Sequence, residues 1–219
     1  VPSEITSFRR EDPDDPLPSH GDRRRVRVGL LGGSFNPAHD GHRFISLEVL
    51  RRLDLDEVWW LVSPQNPLKS SRDMAPQDTR AREARRVAAH PRIRVTTIES
   101  RLGTRFTADT LHTLGLRFPC ARFVWIMGAD NLAQIHRWRR WSWIFRNQPV
   151  AVLDRSPYSY RALASKAARR FATDRLPLRK APVLAGTKAP AWVFLPNRRH
   201  PASATEIRAG RHGAGGSKG

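Results

Sequence analysis

The sequence predicts an α/β fold built on a doubly wound, mostly parallel sheet, and three observations predict it. From residue 26 onward, short apolar runs alternate with segments of helical periodicity. The runs are apolar nearly throughout, as in strands covered on both faces. The first run ends in Gly32-Gly33 and leads straight into a helical segment, the order expected of a strand-helix-strand crossover.

Taken in order, Val26 to Leu31 is the first strand, and His42 to Leu53 places Phe44, Ile45, Leu47, Val49, Leu50 and Leu53 close to helical spacing. Glu57 to Val62 (EVWWLV) is rich in β-formers and is stopped by Pro64. Residues 77–90 (QDTRAREARRVAAH) read as a helix, and Ile93 to Ile98 as a third strand. Thr107 opens a helix to Leu116, and RFVWIM, Arg122 to Met127, is the fourth strand. Asp130 opens a further helix; Pro149 to Leu153 is the fifth strand, Tyr158 to Arg170 a helix, and AWVFL, Ala191 to Leu195, the sixth strand. Strands separated by helices take right-handed crossovers. The expectation is therefore a Rossmann-like, doubly wound sheet of about six strands with helices on both faces. Ligands of such sheets bind beyond the carboxyl ends of the strands, so the loops after strands one, two, four and six are the places to look for chemistry.

Composition narrows the class. The 219 residues are 39% hydrophobic with 7 Trp and 9 Phe, too apolar for a disordered polyelectrolyte. No run approaches the roughly 18 apolar residues of a spanning helix, so no membrane partner is expected. Residues 1–25, with Pro13, Pro16, Pro18 and the Arg23-Arg24-Arg25 run, read as a flexible arm; residues 26–208 form the domain, and 209–219, rich in glycine, a flexible tail. Val1 to Pro18 lacks the basic, apolar and small-residue order of a secretory signal, and Cys120 has no second cysteine to pair with, so a reducing, cytoplasmic setting is expected. The formal charge is +19, which favours polyanions. Only five of the basic residues are lysines, however, and the arginines are spread over helices, loops and tails rather than gathered in one stripe. No specific nucleic acid is expected as partner; a small phosphorylated ligand ranks above it.

The loop after the first strand, Gly32 to His42 (GGSFNPAHDGH), is the centre of interest. Its glycines permit close approach of backbone to a ligand, and the helix that follows offers unpaired N–H groups and the positive end of its dipole. The loop lacks both the G-x-G-x-x-G fingerprint and the Gly-Lys-Ser/Thr of a Walker loop, which removes the main support for hydride transfer and for P-loop hydrolysis. It carries instead His39 and His42, three apart at the helix mouth, two donors suited to phosphate oxygens and to charge developing on a leaving group. The competing reading is His39 as a cap and His42 as a surface residue. A protein-held metal is not expected, because the helical zinc pair uses spacing four and no third ligand is near.

GGSFNPAHDGH resembles the GGTFDPxHxGH signature of the nucleotidyltransferase superfamily, with Ser34 for Thr and Asn36 for Asp. Later segments resemble its bacterial nicotinate mononucleotide adenylyltransferase family. Ser63 to Lys69 (SPQNPLK) is similar to the Pro/Asn-rich loop that ends in a cation, and Arg105 to Leu111 (RFTADTL) to S-Y-T-x-x-T-L. Met127 to Leu132 (MGADNL) is similar to G-x-D-x-L with Trp138 at the family's distance, Val152 to Ser156 (VLDRS) to the strand that carries an Arg, and Ser203 to Arg208 (SATEIR) to the closing I-S-S/A-T-x-I-R. The ordered set spans residues 26–208. It departs at the end, where AGRHGAGGSKG replaces the usual charged and apolar helices.

The resemblance implies adenylyl transfer from ATP to nicotinate mononucleotide, giving deamido-NAD and pyrophosphate, with Mg²⁺ accompanying ATP. It implies His39, His42, Lys69 and Arg208 as the catalytic residues, the imidazoles binding the phosphates and neutralising the transition state, and Lys69 and Arg208 adding charge. ATP would be held by Gly32, Gly33, Ser34, Phe35, His39, His42, Gly128, Asp130, Ser203, Thr205 and Arg208. The acceptor would be held by Ser34, Asn36, Lys69, Phe106, Thr107, Trp138 and Arg155. Plainer readings stand beside these: Asp130 as a helix cap, Trp138 as core, Ser203 and Thr205 as a helix start, Arg155 as a solvated charge. Pantetheine-phosphate adenylyltransferase shares the first loop and is the alternative within the superfamily; a basic nucleic-acid binding protein is the alternative outside it. Assembly into a homo-oligomer is left open, as is the preference between nicotinate and nicotinamide.

Overall fold

The structure, a computed structural model of the chain, describes residues 15–18, 20–64, 74–154 and 159–196. Its strands are β1 (Arg27–Gly33), β2 (Glu57–Val62), β3 (Ile93–Thr96), β4 (Arg122–Gly128), β5 (Val150–Leu153), β6 (Arg175–Leu176) and β7 (Trp192–Leu195). The helices are α1 (Asp40–Arg52), α2 (Gln77–Ala88), α3 (Ile98–Arg101), α4 (Thr107–Arg117), α5 (Ala129–Gln134), α6 (Trp141–Asn147), α7 (Ser159–Leu163) and α8 (Lys166–Arg170). The strands form one sheet in the order β3-β2-β1-β4-β5-β7-β6, and every neighbouring pair is parallel. The chain starts in the middle, winds outward to β3, then returns to β4 beside β1 and winds the other way.

Period-two alternation divides the strand side chains between two cores. Leu30, Trp59, Leu61, Trp125, Met127, Val152 and Phe194 face one, where Leu111 of α4, Leu132 of α5, Phe145 of α6 and Ala167 of α8 cover them. Trp60, Val62, Ile126, Leu153 and Leu195 face the other, under Val49 and Leu50 of α1 and Ala81 and Ala84 of α2. Both faces are therefore buried, which is why the strands read as continuous apolar runs.

Three expectations need correction. The single helix over 158–170 is two, α7 and α8, because Ser165 takes extended geometry and its Oγ accepts from the Ala168 N–H at 3.3 Å, starting a new helix. The helix expected to open at Asp130 is α5, which a 3₁₀ turn at Ile135–Arg137 and left-handed Arg140 (φ 53°) separate from α6. A seventh strand, β6, was not expected, since two residues have no periodicity to detect.

The arm expected to be flexible is anchored at Asp15 to Leu17. Leu17 is buried in the first core, and the carboxylate of Asp15, with no exposed side-chain surface, meets Arg101 at 2.9 Å and accepts from Thr97 N–H and Thr96 Oγ1, both at 2.8 Å. Arg101 also donates to the Leu17 carbonyl at 2.7 Å. This strap ties the N-terminal segment to the end of β3 and to α3.

Candidate active site

β1 and β4 are adjacent, and their chains leave the same end of the sheet in opposite directions, β1 into α1 on one face and β4 into α5 on the other. That divergence opens a crevice at the switch point. α4, the return from the β3 edge, also begins at this end, so its first residue, Thr107, stands on the α5 side.

On the α1 side, His39 is the residue preceding the helix, extended at φ −151° and ψ 166°, and only 6% exposed. Its backbone N–H donates to Nδ1 of His42 at 3.2 Å, and the two rings lie 3.9 Å apart at their centroids. With Nδ1 accepting, the neutral His42 ring carries its proton on Nε2, which leaves that nitrogen as a donor. His42 is further packed by Phe35 at 4.8 Å and Trp60 at 5.8 Å, and those two stack at 5.1 Å. Ser46, fully buried one turn along α1, accepts from Trp60 Nε1 at 2.7 Å and donates to the His42 carbonyl at 2.8 Å. The imidazole is thus fixed by three rings and by a hydroxyl that grips both its own backbone and its neighbour.

The glycine turn serves packing as well as any ligand. A Cβ on Gly32 would lie 2.6 Å from the Trp125 ring and one on Gly33 3.3 Å from Phe35, so side chains there would push on the supports of the crevice. Phe35, expected among ATP contacts, has its ring buried at 2% exposure and takes φ 46°. Its ring props His42. Ser34 and Asn36 are partly buried; the Ser34 carbonyl accepts from Arg80, and Asn36 Oδ1 accepts from the Ala75 N–H at 3.4 Å.

On the other wall, Gly128 precedes α5 and Asp130, partly buried, lies in its first turn. Trp138 ends the 3₁₀ turn, half-buried against the core, and the residues after it bind α4: the Arg139 guanidinium lies 4.8 Å over the Phe106 ring and Arg140 meets Asp109 at 3.1 Å. These contacts bring the Trp138 segment to the start of α4, where Phe106 and Thr107 stand. Behind them, Glu99 accepts from Thr110 Oγ1 at 2.9 Å, and Thr110 and Thr104 are also 2.9 Å apart. Desolvation is the main influence on Glu99 and pushes its carboxyl up to about 7, against the lowering pull of Thr110. Lys69, Arg155, Ser203, Thr205 and Arg208 lie outside the described residues.

Sequence reasoning missed Trp60, Ser46, Glu99 and Arg80. Trp60 had a signal, since alternation in EVWWLV sends Trp59 and Trp60 to opposite faces. Arg80 had none, being one of four arginines in residues 77–90. Among the described residues no group of three His, Cys, Asp or Glu side chains could hold a metal ion. No helix of the described residues is long and apolar enough to cross a membrane.

Comparison with known proteins agrees with this geometry. The family described as cytidylyltransferase-like matches residues 30–210. A protein of Bradyrhizobium sp. strain BTAi1 named "Probable nicotinate-nucleotide adenylyltransferase" is 54% identical over 183 residues, 84% of this chain and 95% of its own length. One of the same name from Cereibacter sphaeroides strain ATCC 17025 is 57% identical over 182 residues, covering 83% and 96%. In fold, the chain is similar to the Plasmodium falciparum nicotinic acid mononucleotide adenylyltransferase solved with NaAD, at TM-score 0.63 and 16% identity over 84% of this chain and 83% of that one. A crevice walled by paired imidazoles and a second helix mouth, in a chain that matches its relatives nearly end to end, leads to one assignment: the chain belongs to the cytidylyltransferase-like family and, within it, to the nicotinate-nucleotide adenylyltransferases.

Proposed function

We propose that this protein transfers the adenylyl group of ATP to nicotinate mononucleotide, releasing pyrophosphate and forming deamido-NAD. The observation that carries the proposal is the His39–His42 pair fixed at the mouth of α1, just past the carboxyl end of β1. The relatives' names supply the reaction. A phosphate oxygen of the acceptor attacks the α-phosphorus of ATP in line; one P–O bond forms, the bond to the β-phosphoryl oxygen breaks, and pyrophosphate leaves with that electron pair. The attacking oxygen is already anionic, so no protein base and no covalent enzyme intermediate is needed, and catalysis is positioning plus charge stabilisation. The His42 Nε2 donor supports this reading, with His39 beside it meeting the growing charge.

Asp130 is assigned to the ATP ribose, with Gly32, Gly33, Ser34, Gly128, Ser203 and Thr205 lining the nucleotide and Lys69 and Arg208 adding charge. Trp138 is assigned to stacking on the pyridine, with Phe106, Thr107, Asn36 and Arg155 around the acceptor. Mg²⁺ would enter with ATP as part of the substrate and supply positive charge against its phosphates. Pyrophosphate release with nicotinate mononucleotide, nicotinamide mononucleotide and phosphopantetheine as parallel acceptors tests the assignment. Turnover with the first is expected; turnover with phosphopantetheine alone would move the chain to the pantetheine branch. Oligonucleotides should bind weakly and lose affinity between low and physiological salt without sequence preference.

A further inference from the structure

Arg80 is buried, 1% exposed, in the first turn of α2, and no carboxylate pairs with it among the described residues. Buried arginines are ordinarily paired. Here all five N–H donors go to backbone carbonyls. Nε donates to Ala75 at 2.8 Å; one terminal nitrogen donates to Ser34 at 2.5 Å and Ser63 at 3.0 Å, the other to Ser63 at 3.0 Å and Pro64 at 3.3 Å. The planar guanidinium has five donors in a fixed fork, so its hydrogen-bonding capacity is filled. The carbonyls belong to three separate stretches: the loop after β1, the first residues past β2, and the approach to α2. Two further bonds join the same stretches, Ser63 N–H to the Gly33 carbonyl at 3.0 Å and Ala75 N–H to Asn36 Oδ1 at 3.4 Å.

We propose that Arg80 is a positioning residue for adenylyl transfer, fixing the backbone of residues 33–36 so that the α1 mouth with His39 and His42 is held at one place relative to the phosphates. The proposal rests on the adenylyltransferase reading. Its physical core is the planarity of the peptide bond. With the Ser34 carbonyl pinned to Arg80, the N–H of the same peptide plane, that of Phe35, is directed the opposite way, away from Arg80. Phe35 in turn props His42, so the orientation of that one plane passes to the imidazole. Desolvation works against the charged form of Arg80, so a cation is held here at a cost that the five bonds to four carbonyls offset. A lysine keeps the charge but has three donors on one nitrogen and cannot reach three stretches in one plane.

The test uses the full chain with Arg80→Lys and Arg80→Gln, measuring kcat and KM for MgATP and nicotinate mononucleotide, normalised to the folded fraction by circular dichroism, well below each variant's Tm. Positioning predicts kcat per folded molecule down about 10- to 100-fold in both variants, with KM for the acceptor changed by less than about threefold, and no rescue by lysine. A purely structural staple predicts a lower Tm with kcat per folded molecule unchanged; a folded Arg80→Lys with wild-type kcat overturns the proposal. Where a variant is partly unfolded, saturating MgATP and assay at about 10 °C draw it back to the folded state. Wild-type protein that releases no pyrophosphate with nicotinate mononucleotide would sink the parent reading instead, so the two failures are told apart.

Discussion

His42 is wedged among Phe35, Trp60 and His39, all three buried, whereas the segment carrying Trp138 meets α4 through Arg139 over Phe106 and Arg140 on Asp109, contacts still reached by water. The α1 wall is set by close packing, which has no soft direction: a ring moved by half an ångström must move its neighbours. The α4 wall is set by a cation over a ring and by an ion pair whose two side chains are 47% and 33% exposed, interactions worth about 1 kcal/mol or less each. The wall assigned to the reacting phosphate is therefore fixed before a ligand arrives, and the wall assigned to the acceptor ring is the one that changes at little cost to stability. A protein that keeps one chemistry while adjusting its choice of acceptor is expected to divide its packing in this way.

The largest effect should come from breaking the fixed wall. His42→Ala is expected to lower turnover by about 10²-fold or more while the fold persists, because one donor aimed at transition-state charge is worth ~3 kcal/mol. Steady-state pyrophosphate release, with Tm as the control, measures it; near-normal turnover in the folded variant would make the paired imidazoles bystanders. Trp138→Ala, on the softer wall, should weaken nicotinate and nicotinamide mononucleotides alike by ~1–3 kcal/mol and leave their kcat/KM ratio nearly unchanged, since both rings offer similar faces. Discrimination then rests with donors near Thr107, where a carboxylate is satisfied and an amide NH₂ is not. A collapsed ratio in Trp138→Ala would show that the indole itself reads the carboxylate end.

Glu99 supplies a test in pH. Its carboxyl, raised to about 7 from the ordinary 4.5, holds a proton in the folded chain that the unfolded chain has already lost. Stability from this group is complete below about pH 4.5 and declines as pH rises through about 7, by on the order of 1–3 kcal/mol, because Glu99 keeps some contact with solvent. Glu99→Gln, which keeps a neutral partner for Thr110, should flatten the dependence of Tm on pH between about 5 and 7.5; an unchanged slope would assign that dependence to other groups. The smallest effect is expected from Asp109→Asn, a loss of under about 1 kcal/mol that fades in high salt. A larger, salt-insensitive loss would mean that the α4 wall is as rigid as its counterpart.

The sheet and the chemical motif were legible because both are local in the sequence. Continuous apolar runs announce strands buried on two faces, and GGSFNPAHDGH holds its glycines, capping geometry and imidazoles within one loop. What sequence reasoning could not supply was the supporting layer. Phe35 looked like a ligand contact, and only the fold shows its ring turned inward against Trp60, a residue on another strand. Ser46 and Arg80 act through partners 14 and up to 46 positions away, which no spacing rule encodes. The arm misled for a related reason. Proline and charge forecast freedom on average, but Asp15 and Leu17 escape the average because one buried arginine and one hydrophobic pocket await them.

That strap also orders events in time. Asp15 meets Thr96, Thr97 and Arg101 at sequence separations of 81 or more, and closing so long a loop yields nothing until β3 and α3 exist to receive it. On the ribosome, Asp15 emerges well before its partners, so the clasp engages only after the first half of the sheet has assembled. In the finished protein the same remoteness makes it an early place to open: releasing the clasp exposes a buried arginine and the end of β3 while the seven strands stay paired. Among the described residues, a protease acting on the native chain would find its first foothold there, at the edge of the sheet farthest from β6.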